Sequence, residues 1–287
     1  MFKPAFSTVA CPELTLEEAA QAADRFGFDG IELRTFDDGP ARIACEPALT
    51  APEKVRRIFG SEGVTIVGLG TSTRFDDPLA GPPGLNFVFG DNEKGVREAK
   101  RHIEVASAIG APLVRVFAFQ SESGESRKRL LRRVVSRLKL AADGARHSGV
   151  RLAVENGGDF PLAEDLAEIV EAVGSPLLGA CYSIGMTVET KEDVRRAVKT
   201  LGDDLLMVRM KDFQGRRPCL LGQGELACRE LVDALVERGF AGPVVYEWDR
   251  LWVKDLASAD EALPHAARML YGWMAEEQRE ALSAAAS

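Results

Sequence analysis

Residues 149–158 read GVRLAVENGG, in which the short apolar run Arg151–Glu155 ends on a carboxylate just before Asn156 and two glycines. A short β-branched run bounded by glycine is typical of a buried strand in a parallel sheet. Similar runs recur along the whole chain, and an amphipathic helical pattern follows each of them. The predicted strands are Ala5–Val9, Gly30–Arg34, Val64–Leu69, Leu113–Phe119, Arg151–Glu155, Leu178–Ser183, Leu206–Met210 and Val244–Glu247.

The helical segments between these strands carry start and stop signals. Thr15 with Glu18 fits a capping box, and glycines such as Gly27 and Gly174 stand where helices should end. Eight strands that alternate with eight helices predict an α/β protein with a closed parallel sheet, a (β/α)8 TIM barrel. No linker divides the chain, so we expect a single domain over residues 1–275 and a frayed tail over residues 276–287.

The balance of charge excludes some partners. The chain carries 36 basic and 44 acidic side chains, and its formal net charge of −8 argues against a nucleic-acid partner. The strongly basic segment is the predicted helix Ser126–Arg146, in which arginines alternate with a stripe of leucine and valine. This pattern is expected of a solvated outer barrel helix.

Composition also predicts the compartment. No apolar run approaches the roughly 20 residues that cross a bilayer, so we expect no membrane partner. The N-terminal residues lack the basic start and apolar stretch of a signal peptide. Five scattered cysteines without a CxxC pair predict reduced thiols in a cytoplasmic protein, rather than a disulfide framework or a zinc site.

One connection is longer than barrel loops usually are. Residues 71–95 are rich in Pro and Gly, yet they contain Phe75, Phe87 and Phe89. A loop of this length is usually functional or disordered. The aromatic side chains favour a lid that packs over the site.

Charged side chains recur at the carboxyl ends of the predicted strands, where such a barrel places its active groups. Because side chains alternate along a strand, Glu155 shares the inward side with Ala153, and Glu247 shares it with Val245. The other inward candidates are Glu32, Arg34, Arg115, Arg209 and Lys211.

These charges allow two interpretations. A charge inside an apolar strand is costly unless it is paired, so the ions could simply neutralise each other in the barrel interior. We favour a functional site because Glu155, Glu247 and Arg209 stand at three separate strand ends. Glu32, Arg34 and Arg115 fit support of the site and contact with substrate equally well.

Longer motifs carry a family resemblance. They are DRFGFDGIELR at 24–34, ASAIGAPLVRVF at 106–117, GVRLAVEN at 149–156, GACYSIGM at 179–186, VRMKD at 208–212, and LGQGEL with GFAGPVVYEW at 221–248. Over nearly its whole length the chain resembles the xylose isomerase-like TIM barrels. This sugar phosphate isomerase/epimerase superfamily includes tagatose 3-epimerases, hydroxypyruvate isomerases and inosose dehydratases.

The resemblance implies a metal site that has been degraded in this chain. In the family a Glu, an Asp, a His and a second Glu hold one divalent metal, and the two glutamates exchange protons with sugar carbons. Glu155 and Glu247 match the two glutamates, but Ser183 replaces the Asp and Arg209 replaces the His. Met186 replaces a further family His. A guanidinium cannot ligate a cation, so we expect no metal and no other cofactor.

No histidine of this chain is expected to supply the missing ligand. His102, His147 and His265 fall on or beside predicted helices and are expected at the periphery. Two other side chains near the predicted site are expected to pack rather than react, namely Cys181 in the lumen and Trp252 over the barrel top.

The resemblance implies an enzyme that isomerises, epimerises or dehydrates a small sugar, polyol or keto acid. Glu155 or Glu247 would take the proton, while Arg209 with Lys211 would stabilise the oxyanion. A glutamate beside Arg209 would, however, be a weaker base, because the cation favours its ionised form. The candidate substrate-binding residues are Arg217, Trp248, Ser183, Arg115 and Glu32.

One alternative stays open, a non-catalytic relative that keeps the pocket to bind a sugar-like ligand or a protein partner. Self-association into a homo-oligomer is compatible with either interpretation, although no stretch of the sequence identifies an interface. The sequence does not distinguish a phosphorylated substrate from an unphosphorylated one.

Overall fold

Eight parallel strands close into a barrel in the computed structural model, which describes residues 1–35, 51–76, 93–120 and 125–285. Over the described residues the strands, of which all but β8 and β9 belong to the barrel, are β1 Lys3–Ser7, β2 Gly30–Arg34, β3 Thr65–Arg74, β4 Leu113–Phe117, β5 Arg151–Glu155, β6 Leu178–Ser183, β7 Leu205–Met210, β8 Asp212–Gln214, β9 Arg217–Cys219 and β10 Pro243–Tyr246. The barrel order is β1-β2-β3-β4-β5-β6-β7-β10, and β10 closes onto β1. The predicted single-domain (β/α)8 TIM barrel is confirmed. An antiparallel hairpin of β8 and β9, which the sequence did not predict, follows β7.

Helices surround the barrel. Over the described residues they are α1 Leu16–Phe26, α2 Pro52–Ser61, α3 Lys94–Ile109, α4 Arg127–Gly144, α5 Ala163–Val173, α6 Thr187–Thr190, α7 Val194–Leu201, α8 Cys228–Glu237 and α9 Ala259–Ala285. Thr15 caps α1 as predicted, because its Oγ1 accepts a hydrogen bond from the Glu18 N–H at 3.2 Å. The Glu18 carboxylate accepts one in return from the Thr15 N–H at 2.8 Å. Within the described ranges, no helix combines the length and the apolar character needed to cross a membrane.

A cluster of buried apolar side chains fills the barrel lumen. They are Ala5, Val67, Leu113, Ala153, Cys181, Leu206, Met207 and Val245. Ala153 and Val245 lie one inward position before Glu155 and Glu247, so the alternation carries both glutamates toward the carboxyl end of the barrel. The predicted packing role of Cys181 is confirmed, because this side chain is fully buried in the lumen.

Some strand boundaries differ from the prediction for local reasons. β1 ends earlier than predicted because Thr8 begins a short 3-10 turn, where its Oγ1 accepts a hydrogen bond from the Arg34 N–H at 2.9 Å. β4 also ends early, since Phe119 adopts a φ of 80°, which no strand residue has. β3 instead continues beyond its predicted end to Arg74.

Two predicted segments stay predictions. The lid expected over residues 71–95 falls mainly on residues 77–92, which lie outside the described residues. Helix α9 continues to Ala285 and so includes most of the tail predicted over residues 276–287. A helical backbone does not measure fraying.

Candidate active site at the barrel mouth

Charged side chains from five barrel strands, or from the residues that directly follow them, meet inside the carboxyl end of the barrel. We call this connected set the charge network; its members are Glu32, Arg115, Glu155, Arg209, Lys211, Glu247 and Asp249. Glu32, Arg115, Glu155, Arg209 and Glu247 are each at most 9% exposed. The strand alternation that predicted an inward direction for these side chains therefore brings them together.

Arg209 lies at the centre of the charge network and is fully buried. Its Nη1 is 2.5 and 2.6 Å from the two carboxylate oxygens of Glu32, and its Nη2 is 2.5 Å from Oε1 of Glu247. Its Nε is 3.8 Å from Oε2 of Glu155. Strand register pairs Arg209 with Ser183 on β6. The guanidinium thus stands between the two glutamates, where the sequence placed it.

Arg115 supplies a second buried guanidinium from β4. Its Nη1 is 3.1 Å from Oε2 of Glu155, and its Nε is 3.8 Å from Oε1 of Glu32. Glu32 and Glu155 are therefore each shared between Arg115 and Arg209. Sharing of this kind compensates part of the cost of burying the four charges.

Lys211 closes the network toward solvent. Its Nζ is 2.8 Å from Oε2 of Glu247 and 3.2 Å from each carboxylate oxygen of Asp249. Because Arg209 holds Oε1 of Glu247, both oxygens of that carboxylate face a cation. Asp249 was not among the candidate site residues, although its position two residues after Glu247 gives it the same parity.

The surroundings of Glu155 and Glu247 shift the pKa values of these two glutamates in opposite directions. Burial would raise the pKa of Glu247, but the adjacent Arg209 and Lys211 outweigh it and lower that pKa well below the ordinary value. Burial raises the pKa of Glu155, and the neighbouring Glu247 carboxylate adds to this rise, against the opposing charges of Arg115 and Arg209. Oε2 of Glu155 is also buried without a hydrogen bond of acceptable geometry.

In three other network members, Glu32, Arg209 and Lys211, the neighbouring charges favour the charged form. Burial opposes the ionised form of Glu32, yet Arg209 and Arg115 lower its pKa. Burial likewise opposes the cationic forms of Arg209 and Lys211, but their carboxylate neighbours raise both pKa values. Glu155 therefore holds a proton more readily than Glu247 does.

Asn156 ties the ends of β5 and β6 together. Its Nδ2 donates to the Ser183 carbonyl at 3.2 Å, and its Oδ1 accepts from the Ser183 N–H at 2.6 Å. These bonds fix the backbone beside Glu155, and they position Ser183 next to Arg209. Sequence reasoning assigned no role to Asn156, although its place directly after the strand-end carboxylate was visible.

Arg34 stands one inward position beyond Glu32 on β2. Its guanidinium donates to the carbonyls of Thr35 and Gly70, both at 3.0 Å, and to Oγ of Ser72 at 2.8 Å. Burial lowers its pKa to about 9, and the nearby positive charge of Arg115 contributes to this change. Its bonds to backbone oxygens suit a supporting role at the mouth.

Asp212 organises the loop that follows Lys211. Its carboxylate accepts backbone N–H hydrogen bonds from Gly222 and Gly224, each at 2.9 Å, and from Leu226 at 3.2 Å. A Cβ at residue 224 would lie 2.2 Å from the Asp212 carboxylate, which explains the glycine there. The KD pair in VRMKD therefore joins a network lysine to a loop-holding aspartate.

Arg217 lies apart from the charge network. It belongs to β9, its side chain is 63% exposed, and its Nη2 is 2.7 Å from Asp255. Its predicted contact with substrate stays a prediction.

The two tryptophans that follow β10 differ in their exposure. Trp248, predicted to bind substrate, is only 3% exposed, stacks on Tyr246 at 6.2 Å between ring centroids, and donates its Nε1–H to the Ala257 carbonyl at 2.9 Å. These contacts use the indole for packing. Trp252 was predicted to pack, and this is wrong: it is 52% exposed, because it follows a short 3-10 turn over Asp249–Leu251.

None of the histidines joins the charge network among the described contacts. His102 is buried on α3, where its Nδ1 is 2.9 Å from Oγ1 of Thr73. Nε2 of His265 is 2.8 Å from the Leu221 carbonyl. His147 is exposed beyond the end of α4.

Residues 20–273 match the profile of the family described as xylose isomerase-like TIM barrel. The chain belongs to this family. The family match spans every strand from β2 to β10, and with them all members of the charge network. Among curated proteins, none matches the sequence at a significant level.

Several solved structures share the fold at low sequence identity. L-ribulose 3-epimerase has a TM-score of 0.79 and 16% identity, over 99% of this chain and 98% of that chain. The IOLI protein, solved with a zinc atom, has a TM-score of 0.77 and 17% identity, over 96% of this chain and 99% of that one. A xylose isomerase-like TIM barrel/4-hydroxyphenylpyruvate dioxygenase fusion protein has a TM-score of 0.73 and 21% identity, over 93% of this chain but only 42% of the fusion protein. At these identities the likeness shows the fold.

The divalent metal that the resemblance implies does not fit the residues present. The guanidinium of Arg209 lies 2.5 Å from Oε1 of Glu247 and 3.8 Å from Oε2 of Glu155, so it stands between the two carboxylates that the resemblance assigns to a shared metal. A guanidinium has donors and no lone pair to offer a metal. Ser183 stands at the neighbouring position on β6. Across the described ranges, no group of three or more His, Cys, Asp or Glu side chains is arranged to hold a metal ion.

Proposed function

We propose that this chain is a sugar isomerase/epimerase-like enzyme that moves a proton on a small sugar, polyol or keto acid without a divalent metal. One observation carries the proposal: Glu155 and Glu247 stand on two sides of the buried guanidinium of Arg209, at the carboxyl end of the barrel. Active groups of such barrels lie at this end. Membership of the xylose isomerase-like family supports the reaction class.

In this proposal Glu155 takes the proton. Burial raises its pKa, so it is a stronger base than an exposed glutamate, and a general base works best when its pKa approaches the working pH. Glu247 has the opposite character, because cations hold both of its oxygens and lower its pKa. Two carboxylates with separated pKa values divide into a proton carrier and a fixed anion. This difference in pKa supports Glu155 rather than Glu247 as the base, a choice that the sequence left open.

Lys211 is the cation that a substrate oxygen would meet. An ammonium group has three N–H donors, and with Glu247 and Asp249 as partners a third remains to stabilise a developing oxyanion. The Lys211 side chain is 15% exposed, whereas that of Arg209 is 1% exposed. Arg209 therefore serves as a positioning residue that holds the glutamates, rather than as the oxyanion contact expected from sequence.

Because the charges of the network are paired with one another, a second candidate is also supported, a non-catalytic protein that binds a sugar-like ligand or a protein partner. Arg209 engages three carboxylates, and no oxygen of Glu247 is left without a cation. A site of this kind could hold a ligand without exchanging a proton with it. Cytoplasmic location and self-association into a homo-oligomer stay part of the proposal under either candidate.

Solvent deuterium incorporation tests the enzymatic proposal. The purified protein is incubated in heavy water with a panel of ketoses, inososes and hydroxypyruvate, and incorporation is followed by NMR. We expect exchange into at least one compound, and we expect Glu155→Gln to slow it by about 10²–10⁴-fold, the usual contribution of a general base. Glu237→Gln, which removes a carboxylate from the exposed ion pair with Arg195 on the outer helices, is the matched control and should leave exchange unchanged.

Two outcomes would contradict the assignment. Exchange that persists in Glu155→Gln would remove this glutamate from the proton-transfer step. No exchange into any compound, combined with thermal stabilisation by one of them, would favour the binding protein.

A further inference from the structure

A cavity of ≈ 730 Å³ lies outside the barrel, on the outer face of α4. Its polar wall includes the side chains of Arg129, Arg132, Arg133, Arg137, Glu93 and Glu125, and we call it the arginine cavity. Residues 129, 133 and 137 are spaced by four, and residue 132 is three after 129. This spacing puts all four arginines on one side of the helix.

Two of the arginines are fixed in place by the protein. The Arg133 side chain is 9% exposed and is held by both carboxylate oxygens of Glu125, at 2.6 and 2.8 Å, and by the Asp76 carbonyl at 2.9 Å. Its Nε is buried without a hydrogen-bond partner. Arg137 is buried and donates to the Phe75 carbonyl at 2.8 Å. Side chains fixed in this way lose little further conformational freedom when a ligand binds.

The other two arginines have no counter-ion among the described residues. Arg129 and Arg132 are exposed at the cavity. Within the described residues, the side-chain hydrogen bond of this pair is from Arg132 Nε to the Lys128 carbonyl at 3.4 Å. Arg127, the first residue of the same helix, differs from both. It forms ion pairs with Asp165 and with Glu168, the latter at 2.7 Å.

The charge of the cavity wall is opposite in sign to that of the whole protein. Among the described residues of its wall, four arginines face two glutamates, whereas the whole chain has a formal net charge of −8. A concave basic surface raises the local concentration of small anions. The planar guanidinium donors of several arginines match the oxygens of phosphate in particular.

We propose that the arginine cavity binds a small multivalent oxyanion, the phosphate or diphosphate group of a phosphorylated metabolite. Arg133 and Arg137 form the buried base of this site, and the exposed Arg129 and Arg132 contact the anion from its outer edge. The partly exposed Leu140 beside them offers an apolar contact for the rest of the ligand. Nucleic acid fits less well, because the described residues that line the cavity include no aromatic side chain for base stacking.

Calorimetric titration with inorganic pyrophosphate, at low ionic strength with matched chloride, tests the proposal. We expect saturable binding of one pyrophosphate per chain, weakened about tenfold or more in the double variant Arg129→Ala/Arg132→Ala, since charge-assisted hydrogen bonds are lost. The matched control is Arg56→Ala/Arg57→Ala on α2, which removes the same charge from another exposed helix and should change affinity less than about twofold. Glu155→Gln should bind pyrophosphate like the wild type, so the result does not depend on the proposed enzymatic activity.

Three results would overturn the proposal. One is the absence of saturable binding by the wild type. Another is an equal loss in the two double variants, because diffuse attraction to any pair of arginines would then explain the binding. The third is tighter binding of a single-stranded oligonucleotide than of pyrophosphate, which would indicate a macromolecular partner.

Discussion

The charge network inside the barrel and the arginine cavity outside it use the same guanidinium group in opposite ways. In the network, Arg209 and Arg115 are buried and each faces at least two carboxylates. In the cavity, Arg129 and Arg132 are exposed and have no carboxylate partner among the described residues. The first arrangement holds protein groups in fixed positions, whereas the second leaves positive charge available to a ligand.

The difference shows that arginine content alone does not locate an anion site. A buried guanidinium whose donors already point at glutamates has little left to offer an incoming anion. Its effect is instead to set the protonation of those glutamates. An exposed arginine on a concave wall keeps its charge for a ligand, although salt screens it.

The largest expected effect comes from removing one arginine in each region. Arg209→Met leaves Glu32, Glu155 and Glu247 without their shared cation, and we expect it to lower the free energy of unfolding by about 3–5 kcal/mol. Arg129→Ala removes an exposed side chain that has no ion pair among the described residues, and it should change the free energy of unfolding by less than about 0.5 kcal/mol. Urea unfolding of both variants measures the comparison. Similar losses in the two would show that Arg209 is not an obligatory partner of the buried carboxylates.

A smaller effect concerns the acid stability of the network. The folded pKa of Glu247 lies below its ordinary value of 4.5, so its contribution is present above about pH 4.5 and is lost as the pH falls through the folded pKa. Glu155 has the opposite sign: its raised pKa favours the folded state at low pH, and this contribution declines as the pH rises through the folded pKa. We therefore expect Glu247→Gln to flatten the loss of stability in acid, measured by urea unfolding between pH 3 and 6. An unchanged slope would contradict the lowered pKa of Glu247.

Much of the barrel could be predicted from the sequence because period-two alternation and glycine-bounded runs are local signals. The same alternation placed Glu155, Arg209 and Glu247 on the inner side of their strands. Other positions could not be resolved from the sequence because they depend on tertiary contacts. The packing of Trp248 rests on Tyr246 and on the carbonyl of Ala257, neither of which the local pattern reveals.

The pKa separation of the glutamates was also beyond the sequence. Arg209 was predicted to weaken any glutamate beside it as a base, yet the pKa of Glu155 is raised and that of Glu247 is lowered. The outcome depends on distances, since Arg209 lies 3.8 Å from Glu155 but 2.5 Å from Glu247, which Lys211 also contacts. The alternation of side chains along one strand carries no information on distances between side chains of different strands.

Solvent deuterium exchange by chelator-treated protein tests most directly whether the built-in cations replace a metal. The wild type is dialysed against a strong chelator, and exchange is measured with and without added manganese. We expect the rate to stay within about twofold of the untreated protein, and manganese to have no effect, because Lys211 and Arg209 supply the positive charge that a metal would otherwise bring. Exchange that stops on chelation and returns with manganese would contradict this, since it would show that a divalent ion binds beside Glu155 and Glu247 despite Arg209.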